Sequence, residues 1–229
     1  MEKQILFNTE MVKAILEDRK NTTRRIIKGV EGLDFIGIGI DPKEIENTAA
    51  FGHGNFKDIV NAKIEKHIKA PCLQEDILYV RETWNFLNCV ECDGNAGNGC
   101  IEMPVNYKGN RGCFAYKVNS VVDMDSWKPS IHMPKEAARI FLKVKEVRVE
   151  RIQDITEEQA INEGVGDLFL DYIANCQDEK YKVPMDHETL AIDQFELLWD
   201  STIKKSDIDH YGWKSNPWVW VIEFERIER

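Results

Sequence analysis

No apolar run in this sequence approaches the ~20 residues needed to cross a bilayer, so no helical membrane anchor and no membrane partner is expected. The opening Met1-Glu2-Lys3-Gln4-Ile5-Leu6-Phe7 lacks the long apolar stretch of a secretory leader, and a soluble, cytoplasmic protein is the expectation. Excess positive charge is missing too: 30 lysines and arginines face 40 acidic residues, for a formal net charge of -10. A uniformly acidic chain repels nucleic acid, which argues against strong non-specific DNA binding. No Gly-x-Gly-x-x-Gly follows a strand-like segment and no P-loop is found, so a Rossmann-type nucleotide site is disfavoured. Low-complexity disorder is excluded by aromatic residues that make up 10% of the chain and are spread along it.

What is there is a chain of 229 residues, 43% hydrophobic, long enough for one elaborated domain with a packed core. Its charge is uneven. Residues 1–30 carry seven basic side chains against four acidic, whereas residues 150–210 carry five basic against sixteen acidic. Only the first cluster could meet a phosphate or an anionic substrate; the plain alternative is a solvated helix end.

Residues 9–19 read as an amphipathic helix capped by Asn8 or Thr9, with Met11, Val12, Ile15 and Leu16 on one face. It runs into Lys20-Asn21-Thr22-Thr23-Arg24-Arg25, a dense polar group expected on a turn beside the core. Residues 29–70 are irregular, and 56–69 fit a helix or a hairpin. Ile77–Thr83 and Phe114–Val118 read as strands, with a Gly/Asn-rich loop from Cys89 to Gly112. Pro134 opens a short helix, and Leu142–Val149 alternate as a bulged strand. Thr156-Glu157-Glu158-Gln159 is a capping box whose helix stops at Gly164. Leu190, Phe195, Leu198, Trp199 and Ile203 mark another amphipathic helix. Trp218–Phe224 close the pattern as a strand with Trp218, Trp220, Ile222 and Phe224 on one face. Strands at unequal spacing without βαβ alternation point to α+β, with a curved sheet or small barrel.

Four blocks, in order, resemble the ASCH domains of the PUA-like superfamily. They are Arg19-Lys20-Asn21-Thr22-Thr23-Arg24-Arg25 after the first helix, Glu75–Trp84, Asp154–Gly164 and Val221–Phe224. The first is similar to the family pattern Gly-x-Lys-x-x-Thr-x-Arg. The chain most resembles the long ASCH-like proteins carried by phages and prophages. The resemblance implies a single domain over 1–229, a small β-barrel with flanking helices, embellished at about 29–70, 85–112 and 165–187. It further implies a cleft for a nucleoside, a modified base or RNA. Some small ASCH proteins are similar to amidohydrolases acting on N4-acetylcytidine, and their catalytic Lys, Thr and Glu map onto Lys20, Thr23 and Glu163. A nearby arginine maps onto Arg25. The family glycines before Arg-Lys and before Asp-hydrophobic are replaced by Asp18 and Glu75.

Amide cleavage needs a nucleophile, a base to activate it and a donor for the oxyanion. Thr23 offers the hydroxyl. Lys20 reaches the same face if the turn stays helical, and accepts a proton only if burial or a nearby cation lowers its pKa. Arg24 and Arg25 assist, and Glu163 could protonate the leaving amine or orient Lys20. No metal is required for that chemistry. The alternatives are a non-enzymatic reader of RNA or a modified base in the same cleft, or an accessory protein acting through protein contacts. The sequence sets no oligomeric state.

Cys89-x-x-Cys92 with Cys100 and Cys113 could hold a structural zinc; free loop thiols are the plain reading. Cys72 and Cys176 have no nearby partner and are expected to be buried. Trp127 and Trp213 are the better candidates to stack on a base, and His132 is the histidine placed to face a cleft.

Overall fold

The computed structural model of the chain describes residues 1–39, 48–54, 61–88, 105–120, 126–165 and 191–228. In chain order the strands are β1 (Glu2–Leu6), β2 (Thr22–Ile26), β3 (Asp34–Ile38), β4 (Thr48–His53), β5 (Lys63–Lys69) and β6 (Ile77–Arg81). They continue as β7 (Trp84–Asn88), β8 (Val105–Tyr107), β9 (Asn110–Tyr116), β10 (Phe141–Arg151) and β11 (Trp218–Ile227). The longer helices are α1 (Thr9–Leu16), α2 (Glu157–Asn162) and α3 (Ala191–Thr202). The protein is thus α+β with strand predominating, and no sheet closes into a barrel among the described residues. No described helix is long and apolar enough to cross a membrane.

The chain forms two units from interleaved stretches: Met1–Asp18, Ile77–Leu142 and Arg226–Arg229 in the first, Arg19–Asp76 and Lys143–Glu225 in the second. In the first, β1 and β6 run parallel, and α1 starts where expected, its Asn8 Oδ1 accepting Met11 N–H at 2.8 Å. The stretch expected to be loop up to Gly112 contributes strand instead. β8 and β9 form a hairpin whose two-residue turn, Lys108-Gly109, takes positive φ at both positions, the geometry that matches strand twist. Trp84, Met133 and Ala137 pack a small core there with Phe86, Tyr107 and Phe114.

In the second unit β10, β11 and β2 lie side by side, and β3, β4 and β5 form an antiparallel meander, which settles residues 63–69 as strand. The core between these groups contains Ile27, Val30, Leu33, Ala49, Phe51 and Trp220. β11 is buried on both faces: Val219 and Val221 are as enclosed as Trp220, Ile222 and Phe224, so the expected one-sided strand is a central one. Pro134 opens only a single 3-10 turn, Lys135–Ala137. The capping box is present as read, with Thr156 and Gln159 serving each other's backbone N–H, and Gly164 ends the helix at φ 87°.

Asp18 and Glu75, which replace the expected glycines, both hold left-handed backbone, at φ 56° and 69°. These turns keep the glycine-type conformation without the glycine.

Candidate functional site

Lys20–Arg25 do not form a helical turn. Thr22–Ile26 is a strand paired antiparallel with β11, in the register Thr22↔Glu223, Thr23↔Ile222 and Arg24↔Val221. The β-branched threonines and isoleucines that weaken a helix are strand formers, and the apolar β11 supplies the partner. Lys20 and Thr23 therefore do not share a helical face. Strand alternation puts Thr22 and Arg24 on one side of the ribbon, Thr23 and Arg25 on the other.

The segment before β2 is instead fastened to the end of α2. Lys20 and Glu163 form an isolated antiparallel bridge, Asn21 N–H donates to Asn162 O at 3.0 Å, and Phe224 N–H donates to Asn21 O at 2.8 Å. This brings the Lys20 ammonium to Glu163 across 143 positions of sequence. Lys20 Nζ donates at 2.7 Å to Thr22 O, to Glu163 O and to Glu163 Oε2. An ammonium has three N–H groups, so these bonds use its whole capacity. Burial pushes the Lys20 pKa below its ordinary value; Glu163 opposes that shift, and Arg25 and Arg24 add to it.

The other oxygen of Glu163 belongs to Arg24, whose Nη1 reaches Oε1 at 3.1 Å. Arg24 Nη2 donates to Gln159 Oε1 at 2.9 Å and to Glu150 Oε2 at 3.3 Å, and its guanidinium lies 5.8 Å from the Phe195 ring centre. The Arg24 and Lys20 side chains are wholly buried and Glu163 is 3% exposed, so the charges are paired where water cannot screen them. From Glu150 the network runs outward through Arg148 to Glu223.

Thr23 is buried, and its hydroxyl bonds to no described residue. Arg25 is half-buried; burial lowers its pKa and Glu163 opposes. A cavity of about 450 Å³ opens beside the bridge, lined by Asn21, Thr22, Gln159, Asn162 and Phe224. Glu158, Glu223 and Glu225 face it against one cation, Lys145. Neither this cavity nor a smaller one of about 160 Å³, lined by Arg151, Tyr211 and Trp218 among others, has Lys20, Thr23 or Glu163 in its lining.

The structure thus joins Lys20, Glu163 and Arg24, with Thr23 and Arg25 on the same strand as Arg24. Trp127 lies in the first unit, half-buried beside Lys128, which bridges to Trp84. Trp213 packs edge-on to Phe195, and His132 is exposed on a 3-10 turn rather than facing a cleft. Cys89, Cys92, Cys100 and Cys176 lie outside the described residues, while Cys72 and Cys113 are buried, Cys113 in β9 opposite Leu87. Among the described residues no three His, Cys, Asp or Glu side chains cluster as metal ligands. Sequence reasoning left Gln159 as a helix cap and Arg24 as a helper. The signal for more was their position: Gln159 closes the capping box four residues before Glu163, and Arg24 alternates with Thr22. Compared with protein-family models, curated proteins and solved structures, the chain gives no match.

Proposed function

We propose that this protein is an ASCH-like, PUA-related amidohydrolase acting on an acylated cytidine of the N4-acetylcytidine type, with Lys20, Thr23 and Glu163 as its working residues. The observation that carries this reading is the buried Lys20–Glu163 contact at 2.7 Å, made by residues 143 positions apart in sequence. Two features add to it: the uncommitted hydroxyl of Thr23 nearby in sequence, and the glycine-type backbone at Asp18 and Glu75.

In this mechanism Thr23 Oγ1 attacks the acyl carbon while neutral Lys20 takes its proton. The proton Lys20 carries in the resting site passes to Glu163 Oε2, its hydrogen-bonded neighbour. Collapse of the tetrahedral species breaks the C–N4 bond, Glu163 protonates the departing amine, and the acyl group remains as an ester on Thr23. The Lys20 proton then passes again to Glu163, water attacks the ester while Lys20 takes its proton, and the Thr23 Oγ1–acyl bond breaks as Glu163 returns the proton to Thr23 Oγ1, releasing the carboxylic acid. In this reading Arg25, on the same side of β2 as Thr23, supplies the positive charge for the developing oxyanion. Desolvation favours the neutral amine, which is the form the first step requires.

A second reading rests on the saturation of the Lys20 ammonium, whose three bonds hold the site together without chemistry. It makes the cavity a reader of a base, free or in RNA. Incubation with a panel of acylated cytidines, with products read by mass spectrometry, separates the two. The hydrolase reading predicts cytidine and the free acid from wild type and none from Lys20→Ala or Thr23→Ala. Lys20→Arg does not rescue, because a guanidinium cannot give up its proton at working pH. A wild type inert on every acylated cytidine yet binding one base through the same residues favours the reader.

A further inference from the structure

Gln159 ties two arrangements together with a single atom. Its Oε1 accepts from Arg24 Nη2 at 2.9 Å and from Thr156 N–H at 3.2 Å. Both neighbours are pure donors, so the amide oxygen must face them and the orientation of the side chain is dictated by chemistry. The amide NH2 is left pointing away. No described residue accepts from it, and it is not among the buried unpartnered nitrogens, so it reaches open space. Gln159 lines the cavity of about 450 Å³ beside the Lys20–Glu163 bridge, a volume within the range of small-molecule sites.

The same guanidinium that fixes Gln159 also holds Glu163, through Nη1 at 3.1 Å to Oε1. Donor amide and carboxylate are therefore held at a constant spacing by a buried group with no exposed surface. The cavity's charged side chains, Glu158, Glu223 and Glu225 against Lys145, favour a neutral ligand over one bearing phosphate.

We propose that Gln159 is the specificity-determining residue of this cavity, donating through its amide NH2 to the adjacent acceptors N3 and O2 of a cytosine ring. The inference rests on the pyrimidine-nucleoside reading above and names how the base is chosen. Uracil carries an N3–H donor where cytosine carries an acceptor, so a fixed NH2 meets a donor at N3 and keeps only O2. Gln159→Glu keeps one oxygen toward Arg24 and Thr156 and exchanges the donor for an acceptor at nearly constant shape.

The test is calorimetric titration with cytidine and with uridine as probes, on wild type first. Wild type is expected to prefer cytidine by at least about tenfold, the usual consequence of leaving a polar group unpaired. Gln159→Glu is expected to lose at least about tenfold in cytidine affinity and to erase or invert the preference. A merely structural glutamine would shift the melting temperature without moving that ratio. Equal binding of both nucleosides by wild type overturns the proposal without needing a folded variant, and so does a folded Gln159→Glu with unchanged cytidine affinity. Failure of the hydrolase reading looks different: wild type leaves N4-acetylcytidine intact, yet its cytidine preference still depends on Gln159. Conversely, turnover of N4-acetylcytidine with a KM indifferent to Gln159→Glu keeps the hydrolase and removes this role.

Discussion

At Glu163 two buried cations meet one carboxylate, Lys20 on Oε2 and Arg24 on Oε1. Removing the carboxylate leaves both charges without their shared partner in a place closed to water. Glu163→Gln is therefore expected to destabilise the fold by about 3–5 kcal/mol in urea titrations, in addition to impairing turnover. Lys20→Met combined with Glu163→Leu should cost less than the sum of the single changes, because the pair leaves together. A Glu163→Gln variant as stable as wild type contradicts the buried pairing. In the other unit, burial pushes the Tyr116 hydroxyl up to about 12. The folded state then keeps a proton that the unfolded chain loses near 10, so stability falls as pH rises from 10 to 12. The loss amounts to about 2–3 kcal/mol. Tyr116→Phe should flatten that alkaline slope while giving up the hydrogen bond to Ala137 O, and an unchanged slope in chemical denaturation contradicts the assignment.

Among elements, those specified by local pattern were readable in advance. The Asn8 cap, the capping box at Thr156, the stop at Gly164 and the hydrophobic faces of α1 and α3 depend only on neighbouring residues. β2 was not readable, because its conformation is decided by β11, which pairs with it from nearly two hundred residues downstream. The same long range hid Arg24: a basic residue near a charged turn reads as solvated until its acceptors at Glu150, Gln159 and Glu163 are brought to it. Lys20, Thr23 and Glu163 are singled out only by the family resemblance, and the helical turn that would have put Lys20 and Thr23 on one face is replaced by the strand pairing of β2 with β11. The Glu75 turn offers a test at this scale. Its left-handed backbone costs a non-glycine residue about 1–2 kcal/mol, so Glu75→Gly should raise the melting temperature despite loss of the exposed pair with Lys143. A lower melting temperature would show that the side chain matters more than the strain.

For the whole molecule, the distribution of charge bears on partners more than its total. Two of the seven basic side chains in residues 1–30, Lys20 and Arg24, are buried and committed to carboxylates. The net charge of -10 disfavours non-specific association with a phosphate backbone. The division into two units also places the proposed machinery entirely within Arg19–Asp76 and Lys143–Glu225. If Thr23 carries the acyl group during turnover, the ester it forms can be trapped. Wild type mixed with N4-acetylcytidine, quenched in acid and analysed by intact mass and peptide mapping, is expected to carry one acetyl group on Thr23, absent from Thr23→Ala. A Thr23→Ala protein that still releases cytidine at the wild-type rate would rule out Thr23 as the acyl carrier.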